Sequence, residues 1–406
     1  MSAPTPRSGR DPGGIEDGET SHAPRNAAPI AAVDAALAAA LAAHAGSDAR
    51  VAVALSGGID SMVLLDALHA VASVATLRLS ALHVDHGLSP HAGRWAEFCA
   101  EQCAARGVPL TIFRVDVARR PGQSLEAAAR AARYRKLLAA DADIVALAHH
   151  ADDQAETVLL QLLRGAGPPG LAAMPRYRAR SGSGPALLRP LLDLPRATLA
   201  ACAGARGLAW IDDESNVDRR YKRNLLRLTV APLLAAAFPG YPSVLVRAAG
   251  HQAEAAALLD ELAAQDAGGA IGHRPGDQGL DRARLAALPP ARARNLLRWF
   301  LRGEGLRPPS TARLAAMLTQ LQAAGAEART RLVHDGAEIG SHLGRILVHA
   351  VAADPFVRAW RGEGSVPLPG GTLLFERVRG AGAAAAKFAT AEVTLRSRRG
   401  GERIQL

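Results

Sequence analysis

The sequence is poor in lysine and in cysteine. Its three lysines, Lys136, Lys222 and Lys387, leave arginine to supply nearly all of the 48 basic residues. The three cysteines, Cys99, Cys103 and Cys202, are too few and too scattered for a disulfide framework. There is no Cys-x-x-Cys pair, which argues against zinc knuckles and cysteine-ligated clusters. No unbroken run of about 18 apolar residues occurs. The N-terminal stretch mixes Pro, Gly, Ser and charge, where a secretion signal would place a basic segment before an apolar one. The expectation from these absences is a cytoplasmic protein with no membrane partner.

What is present is a chain of 406 residues, 49% of them hydrophobic, with a net charge of +10. That length allows two or three domains. A GC-rich genome would by itself produce much of the alanine and arginine excess. The net positive charge favours a polyanionic partner.

Residues 1–28 read as a disordered extension. A helix is expected over 31–45, then strand-like runs at 51–55, 79–84, 110–115 and 144–148. Helix-like runs at 60–73, 90–106, 123–140 and 152–164 alternate with them. This alternation predicts an α/β fold whose parallel sheet is covered on both faces. Ligands of such sheets sit beyond the carboxyl ends of the strands. A further helix is expected near 195–206. The expected divisions are a catalytic domain over 29–235, a helical domain over 236–328, and a small mixed α/β domain over 329–406. The last is read from short β-like runs at 330–333, 346–351, 373–375 and 393–395.

Chemistry-bearing residues cluster after the strands. Ser56-Gly57-Gly58-Ile59-Asp60-Ser61 joins the first strand to a helix. A helix start offers unpaired N–H groups and a positive dipole end to an anion, and glycines let the backbone approach it. The loop has no lysine and so is no Walker A motif; Asp60 is placed to hold Mg²⁺ between phosphates. His83 and Asp85 follow at the next strand end, and His149-His150-Ala151-Asp152-Asp153-Gln154-Ala155-Glu156 after the fourth. Asp152 and Asp153 can be read as helix caps. Asp153 and Glu156, three apart, also share a helix face and suit a cationic amine. Arg130 and Arg133 form a basic helix face that is either solvated or in contact with phosphates. Arg223, Asn224 and Arg227 follow the polar run Asp213-Glu214-Ser215-Asn216-Val217-Asp218.

Ser-Gly-Gly-x-Asp-Ser resembles the signature of the PP-loop ATP pyrophosphatases. The ordered set SGGIDS, HVDHGLSPHAGRW, EAAARAARY, AHHADDQAETVLLQLLRGAG, RPLLDLPR and DESNVDRRYKRNLLR resembles the tRNA(Ile)-lysidine synthetase family. LPPARARNLLRWFLRGEGLRPPS is similar to that family's helical second domain, and VPLPGGTLLFERVRGAG with LRSRRGGERIQL to the opening of its C-terminal domain. Longer members continue past GGER into a lysine-rich segment, so the expectation here is either an abbreviated third domain or a truncated sequence.

The resemblance implies that ATP activates carbon 2 of the first anticodon cytidine of a CAU-bearing isoleucine tRNA by adenylating its oxygen. Free L-lysine then displaces AMP to give lysidine. Ser56, Gly57, Gly58, Ile59, Asp60 and Ser61 would bind ATP with His83 and Asp85; Asp60 would also hold Mg²⁺. Asp153 and Glu156 would bind lysine, and Arg223 would stabilise the activated base. Arg130, Arg133, Arg164, Asn224 and Arg227 would contact tRNA or phosphate, the helical domain would grip tRNA, and a homodimer is left open. The competing readings are a PP-loop tRNA thiolase, a small-molecule amidotransferase and a non-catalytic tRNA-binding protein. A thiolase would want reactive cysteines at the site, and a binding protein would not need Asp60, Asp153 and Glu156 together.

Overall fold

A computed structural model describes residues 23–72, 76–117, 124–180, 182–212, 217–268, 279–323, 331–342, 344–350, 356–368, 371–376, 378–379 and 393–396. The expected disordered extension, except 23–28, and the Asp213–Asn216 run fall outside them. The chain divides into two units, Met1–Ala256 and Ala257–Leu406.

The first unit is built on a six-stranded sheet. Its strands are β1 (Arg50–Ala54), β2 (Arg78–Asp85), β3 (Leu110–Arg114), β4 (Ile144–Ala146), β5 (Tyr177–Arg178) and β6 (Ala186–Leu188). They lie in the order β3-β2-β1-β4-β6-β5, parallel except for the short edge strand β5. The central strands are short apolar runs: Val51, Ala52 and Val53 are buried, as are Ile144, Val145 and Ala146. Burial on both faces removes the alternation that a half-exposed strand would show. The chain runs outward from β1 to β2 and β3, then returns to start β4 on the other side of β1. That reversal leaves a crevice at the carboxyl ends of β1 and β4.

Helices α1 (Ala23–His44), α2 (Ile59–Ala72), α3 (Ala92–Ala104), α4 (Leu125–Leu137), α5 (Ala151–Leu162), α6 (Pro168–Leu171) and α7 (Arg196–Ala205) accompany the sheet. Met62, Val63, Leu64, Leu65, Ala67 and Leu68 of α2 are all buried, so this helix is apolar nearly all round. It packs against α1 and α7. Residues 27–44 of α1 are long and apolar enough by composition to cross a membrane. In the fold, Val33, Leu37 and Leu41 are core residues, and Asp34 pairs with Arg206, the C-cap of α7, at 2.7 Å. These contacts seat one face of α1 on the core, and 22% of the span is buried. Alanine supplies most of its apolarity, which is why the run is inconspicuous in the sequence.

Beyond the sheet come α8 (Lys222–Leu225), a π-helical turn (Leu226–Val230), α9 (Ala231–Ala237) and α10 (Tyr241–Ala267). The second unit adds β7 (Leu280–Asp281), α11 (Arg282–Ala287), α12 (Pro290–Gly303), α13 (Thr311–Ala323), β8 (Arg331–His334), β9 (Ala337–His342) and β10 (Arg345–Ala350). Strands β7-β10-β9-β8 form one antiparallel sheet. Leu332, Ile339 and Ile346 of that sheet share a core with Leu296, Phe300, Leu314 and Met317 of the helices. The division expected between 328 and 329 is spanned by this core. Strands β11 (Val357–Trp360) and β14 (Val393–Arg396) pair with each other, as do β12 (Ser365–Leu368) and β13 (Gly371–Leu374).

Candidate active site

The loop after β1 is tied by its own hydroxyls. The Ser56 N–H donates to Ser61 Oγ at 3.2 Å, the two serine oxygens lie 3.1 Å apart, and Ser61 Oγ donates to the Gly58 carbonyl at 2.9 Å. Gly57 has φ +86°, and a Cβ there would stand 3.0 Å from Ile211 Cδ1 and 3.2 Å from Cys99 Sγ. Handedness and space both demand glycine at this position. The Ile211 N–H donates to the Gly57 carbonyl at 2.9 Å, so a segment far along the chain backs the loop. The start of α2 then faces the crevice. Asp60 Oδ1 is buried with no hydrogen-bond partner. An orphaned carboxylate oxygen beside an anion-binding helix start fits Mg²⁺, which typically takes one or two carboxylates and otherwise phosphate oxygens and water.

The β2 end supplies the next wall. His83 is buried, with Nδ1 3.0 Å from the Leu55 carbonyl and 3.6 Å from Cys99 Sγ. Asp85 Oδ1 accepts from the Gly87 N–H at 2.8 Å, shaping the turn. A cavity of about 610 Å³ opens here, lined by Ser56, Gly58, Asp60, Ser61, His83, Asp85, His86, Arg133, His149, Tyr221, Arg223 and Asn224 among others. Its lining atoms come from the ends of β1 and β2, from the residues after β4, and from α2, α4 and α8.

Two successive histidines lead into α5. Burial pushes the His149 pKa down to about 3, so its ring is neutral. Burial also acts to lower that of His150, but Asp152, Asp60 and Asp153 outweigh it and push it up to about 10. The His150 Nε2 lies 3.6 Å from Asp60 and 3.4 Å from Asp153, and its Nδ1 3.6 Å from Asp152. His150 also occupies the N-cap of α5, where the Asp153 carboxylate accepts the His150 backbone N–H at 3.3 Å. An imidazolium Nδ1 has no free lone pair. With His150 protonated, the 3.4 Å approach of the Asp153 N–H to that atom is therefore a contact, and the Asp152 carboxylate 3.6 Å away is an ionic neighbour of the ring.

Behind these residues lies a four-membered ion cluster. Arg223 Nε donates to Glu156 Oε2 at 2.7 Å, and its NH2 donates to the Asp153 carbonyl at 3.1 Å. Arg227 Nε donates to Glu156 Oε1 at 2.7 Å, while its NH2 reaches Asp153 Oδ1 at 3.1 Å and Glu156 Oε2 at 3.0 Å. Burial would raise the Asp153 pKa; the positive charges of His150, Arg223 and Arg227 outweigh it and hold it below the usual carboxylate value. Arg223 and Arg227 come from α8 and the π-helical turn that follows it. Such turns widen the helix locally and recur at functional sites.

The structure thus divides the expected site residues. Ser56, Gly58, Asp60, Ser61, His83, Asp85, Arg133, Arg223 and Asn224 line the cavity. Gly57 and Ile59 belong to the same loop and helix start through their backbone. Asp153, Glu156 and Arg227 lie outside the lining and reach it through Arg223. Arg130 stacks on the Tyr134 ring at 4.9 Å, and Arg164 is exposed beyond the end of α5. Asn224, while lining the cavity, donates to the Asp218 carbonyl at 3.0 Å. Several further residues contribute to the site. His86 and Tyr221 line the cavity. The buried Gln154 amide pairs both ways with the Met174 backbone, at 2.9 and 3.0 Å. Gln154 stands inside the acidic block, and that placement is the only signal it carries in the sequence.

Sheet, loop and cavity together define a PP-loop ATP-binding domain. A family profile described as the PP-loop domain matches residues 32–234, and one described as the TilS substrate binding domain matches 280–347. The chain belongs to the tRNA(Ile)-lysidine synthase family. It is 43% identical to the tRNA(Ile)-lysidine synthase of Nitrosomonas europaea over 365 residues, covering 88% of this chain and 78% of that one. It is 43% identical to the enzyme of that name from Azoarcus sp. over 369 residues, covering 90% and 80%. Among solved structures, a U34-tRNA thiolase from Methanococcus maripaludis with its [4Fe-4S] cluster superposes with TM-score 0.50 at 18% identity. That match covers 56% of this chain and 80% of the other, and it is a likeness of fold.

Proposed function

We propose that this protein joins free L-lysine to carbon 2 of the first anticodon cytidine of a CAU-bearing isoleucine tRNA. The tRNA then decodes AUA instead of AUG and is charged with isoleucine in place of methionine. The observation that carries the reading is the convergence in one cavity of the serine-tied loop, the orphaned Asp60 oxygen, and Arg223 backed by Asp153 and Glu156. The proposal includes Mg²⁺, a cytoplasmic setting, and a homodimeric option that light scattering decides.

In the first step the cytosine O2 attacks the α-phosphorus of ATP, and pyrophosphate leaves. The loop backbone and the Ser56 and Ser61 hydroxyls would hold the departing phosphates. Mg²⁺ on Asp60 would offset their charge. In the second step the lysine ε-amine attacks carbon 2, and AMP leaves with the oxygen it activated. The amine must first lose a proton; Asp153 and Glu156 are the carboxylates within reach of Arg223 that can take it. Arg223, with one side on the cavity and the other on Glu156, would stabilise charge on the adenylated base.

A thiolase is disfavoured by the sulfur chemistry. Cys99, Cys103 and Cys202 are all buried, and burial pushes the Cys99 pKa up to about 12. A thiol so far from ionisation is a poor nucleophile or cluster ligand. The deciding assay incubates the protein with labelled lysine, ATP, Mg²⁺ and each CAU tRNA. Lysine should enter the isoleucine tRNA alone; absence of label there, with an active preparation, overturns the assignment.

A further inference from the structure

Every oxygen of Glu156 and one oxygen of Asp153 is already engaged by arginine. The other oxygen of Asp153, Oδ2, accepts the His150 backbone N–H at 3.3 Å and lies 3.4 Å from the His150 ring. An incoming lysine ammonium would find its acceptor oxygens already taken, at a site where the Glu156 and Asp153 side chains are largely buried. One of the two arginines must withdraw. Only Arg223 can do so toward a new counter-ion, because Arg223 lines the cavity while Arg227 does not.

Resting on the proposed function above, we propose that Arg223 is a two-position residue: it covers the lysine carboxylates when the cavity is empty and swings to the nucleotide phosphates when ATP is bound. Lysine then enters the place that Arg223 leaves on Glu156 and Asp153. Arg227 stays, holding both carboxylates in register at 2.7 to 3.1 Å. The consequence is ordered binding. The amine nucleophile is admitted only when an activating phosphate is in place, so lysine does not occupy the site ahead of ATP. Arg223 is the positioning residue of this exchange, whether or not it later touches the adenylated base.

Thermodynamic linkage makes the idea measurable without turnover. Calorimetric titration of the intact protein with L-lysine should show binding at least about tenfold tighter in the presence of Mg²⁺ and α,β-methylene-ATP. The analogue should gain the same factor from saturating lysine, because coupling is reciprocal. Arg223→Ala should bind lysine about as tightly without the analogue as the parent does with it, and the coupling should fall to near one. Arg223→Lys, which keeps the charge but loses the fork, should retain part of the coupling. Far-UV circular dichroism of each variant secures the fold. If the parent binds lysine equally with and without the analogue, or if Arg223→Ala keeps the full coupling, the exchange is wrong. Glu156→Gln separates the two levels. If that variant binds lysine as the parent does, the carboxylates are not the lysine site and the underlying reading fails. If it loses lysine while coupling is absent in the parent, only the exchange fails.

Discussion

His149 and His150 are adjacent in the chain and differ in charge. Apolar burial keeps the first neutral, while carboxylates from the Ser56–Ser61 loop and from α5 keep the second protonated. One residue of sequence therefore separates a neutral face, which lines the cavity, from a cationic one that ties Asp60 to Asp153.

The neutral partner has a pH signature. The folded pKa of His149, about 3, lies below its unfolded value, so the unfolded chain binds the extra proton. The stabilising contribution is complete above about pH 6.5 and is lost as pH falls from there toward 3. Over that range the loss is on the order of a few kcal/mol. His149→Gln should flatten the acid limb of a urea-midpoint versus pH curve; an unchanged slope would show that His149 is not buried neutral.

Asp60→Ala should leave the fold intact and lower pyrophosphate release by on the order of 10²-fold or more, a cost comparable to removing a principal charge stabiliser. Its Oδ1 has no hydrogen-bond partner to lose, and the contact given up is that of Oδ2 with His150 at 3.6 Å. A pyrophosphate-release assay across a Mg²⁺ titration reads both rate and metal dependence, and wild-type behaviour would displace the metal from Asp60.

Gly57→Ala combines a left-handed backbone with a crowded Cβ and should cost about 1–3 kcal/mol. Gly46→Ala, with nothing within 4 Å of its Cβ and an ordinary φ, is the control and should be near neutral. Thermal midpoints of the two variants, measured with and without ATP, test this. Only the first should also weaken nucleotide binding.

Glu156→Ala strands Arg223 and Arg227 together and should destabilise the first unit by about 3 kcal/mol, near the low end for a broken buried pair because both arginines keep some solvent. Denaturant unfolding measures it. A change under about 1 kcal/mol would mean that water already carries those arginines.

The parallel sheet is legible because Val51–Leu55 and Ile144–Ala148 are short apolar runs ended by glycine or His/Asp, which is what a doubly covered strand looks like. Strand β6 is not, since Ala186–Leu188 is three residues long and gains its identity from β4 beside it. Asp60 and His83 are legible as cavity residues from their places at the ends of β1 and β2, whereas Arg223 stands out only through the family resemblance. Occupation of Glu156 by two arginines some seventy positions onward is not legible, because that pairing is decided by how α8 docks on α5. Ile211 illustrates the same limit: an ordinary apolar residue in sequence, it becomes the wall of the phosphate loop only in three dimensions.

That wall has an evolutionary corollary. Cys99 and Ile211, from two distant parts of the chain, each close on the space beside Gly57. A lineage can enlarge neither of them toward that space while the backbone at 57 keeps its place. Positions 99 and 211 should therefore each be held to a narrow range of sizes across relatives, while 57 stays bare.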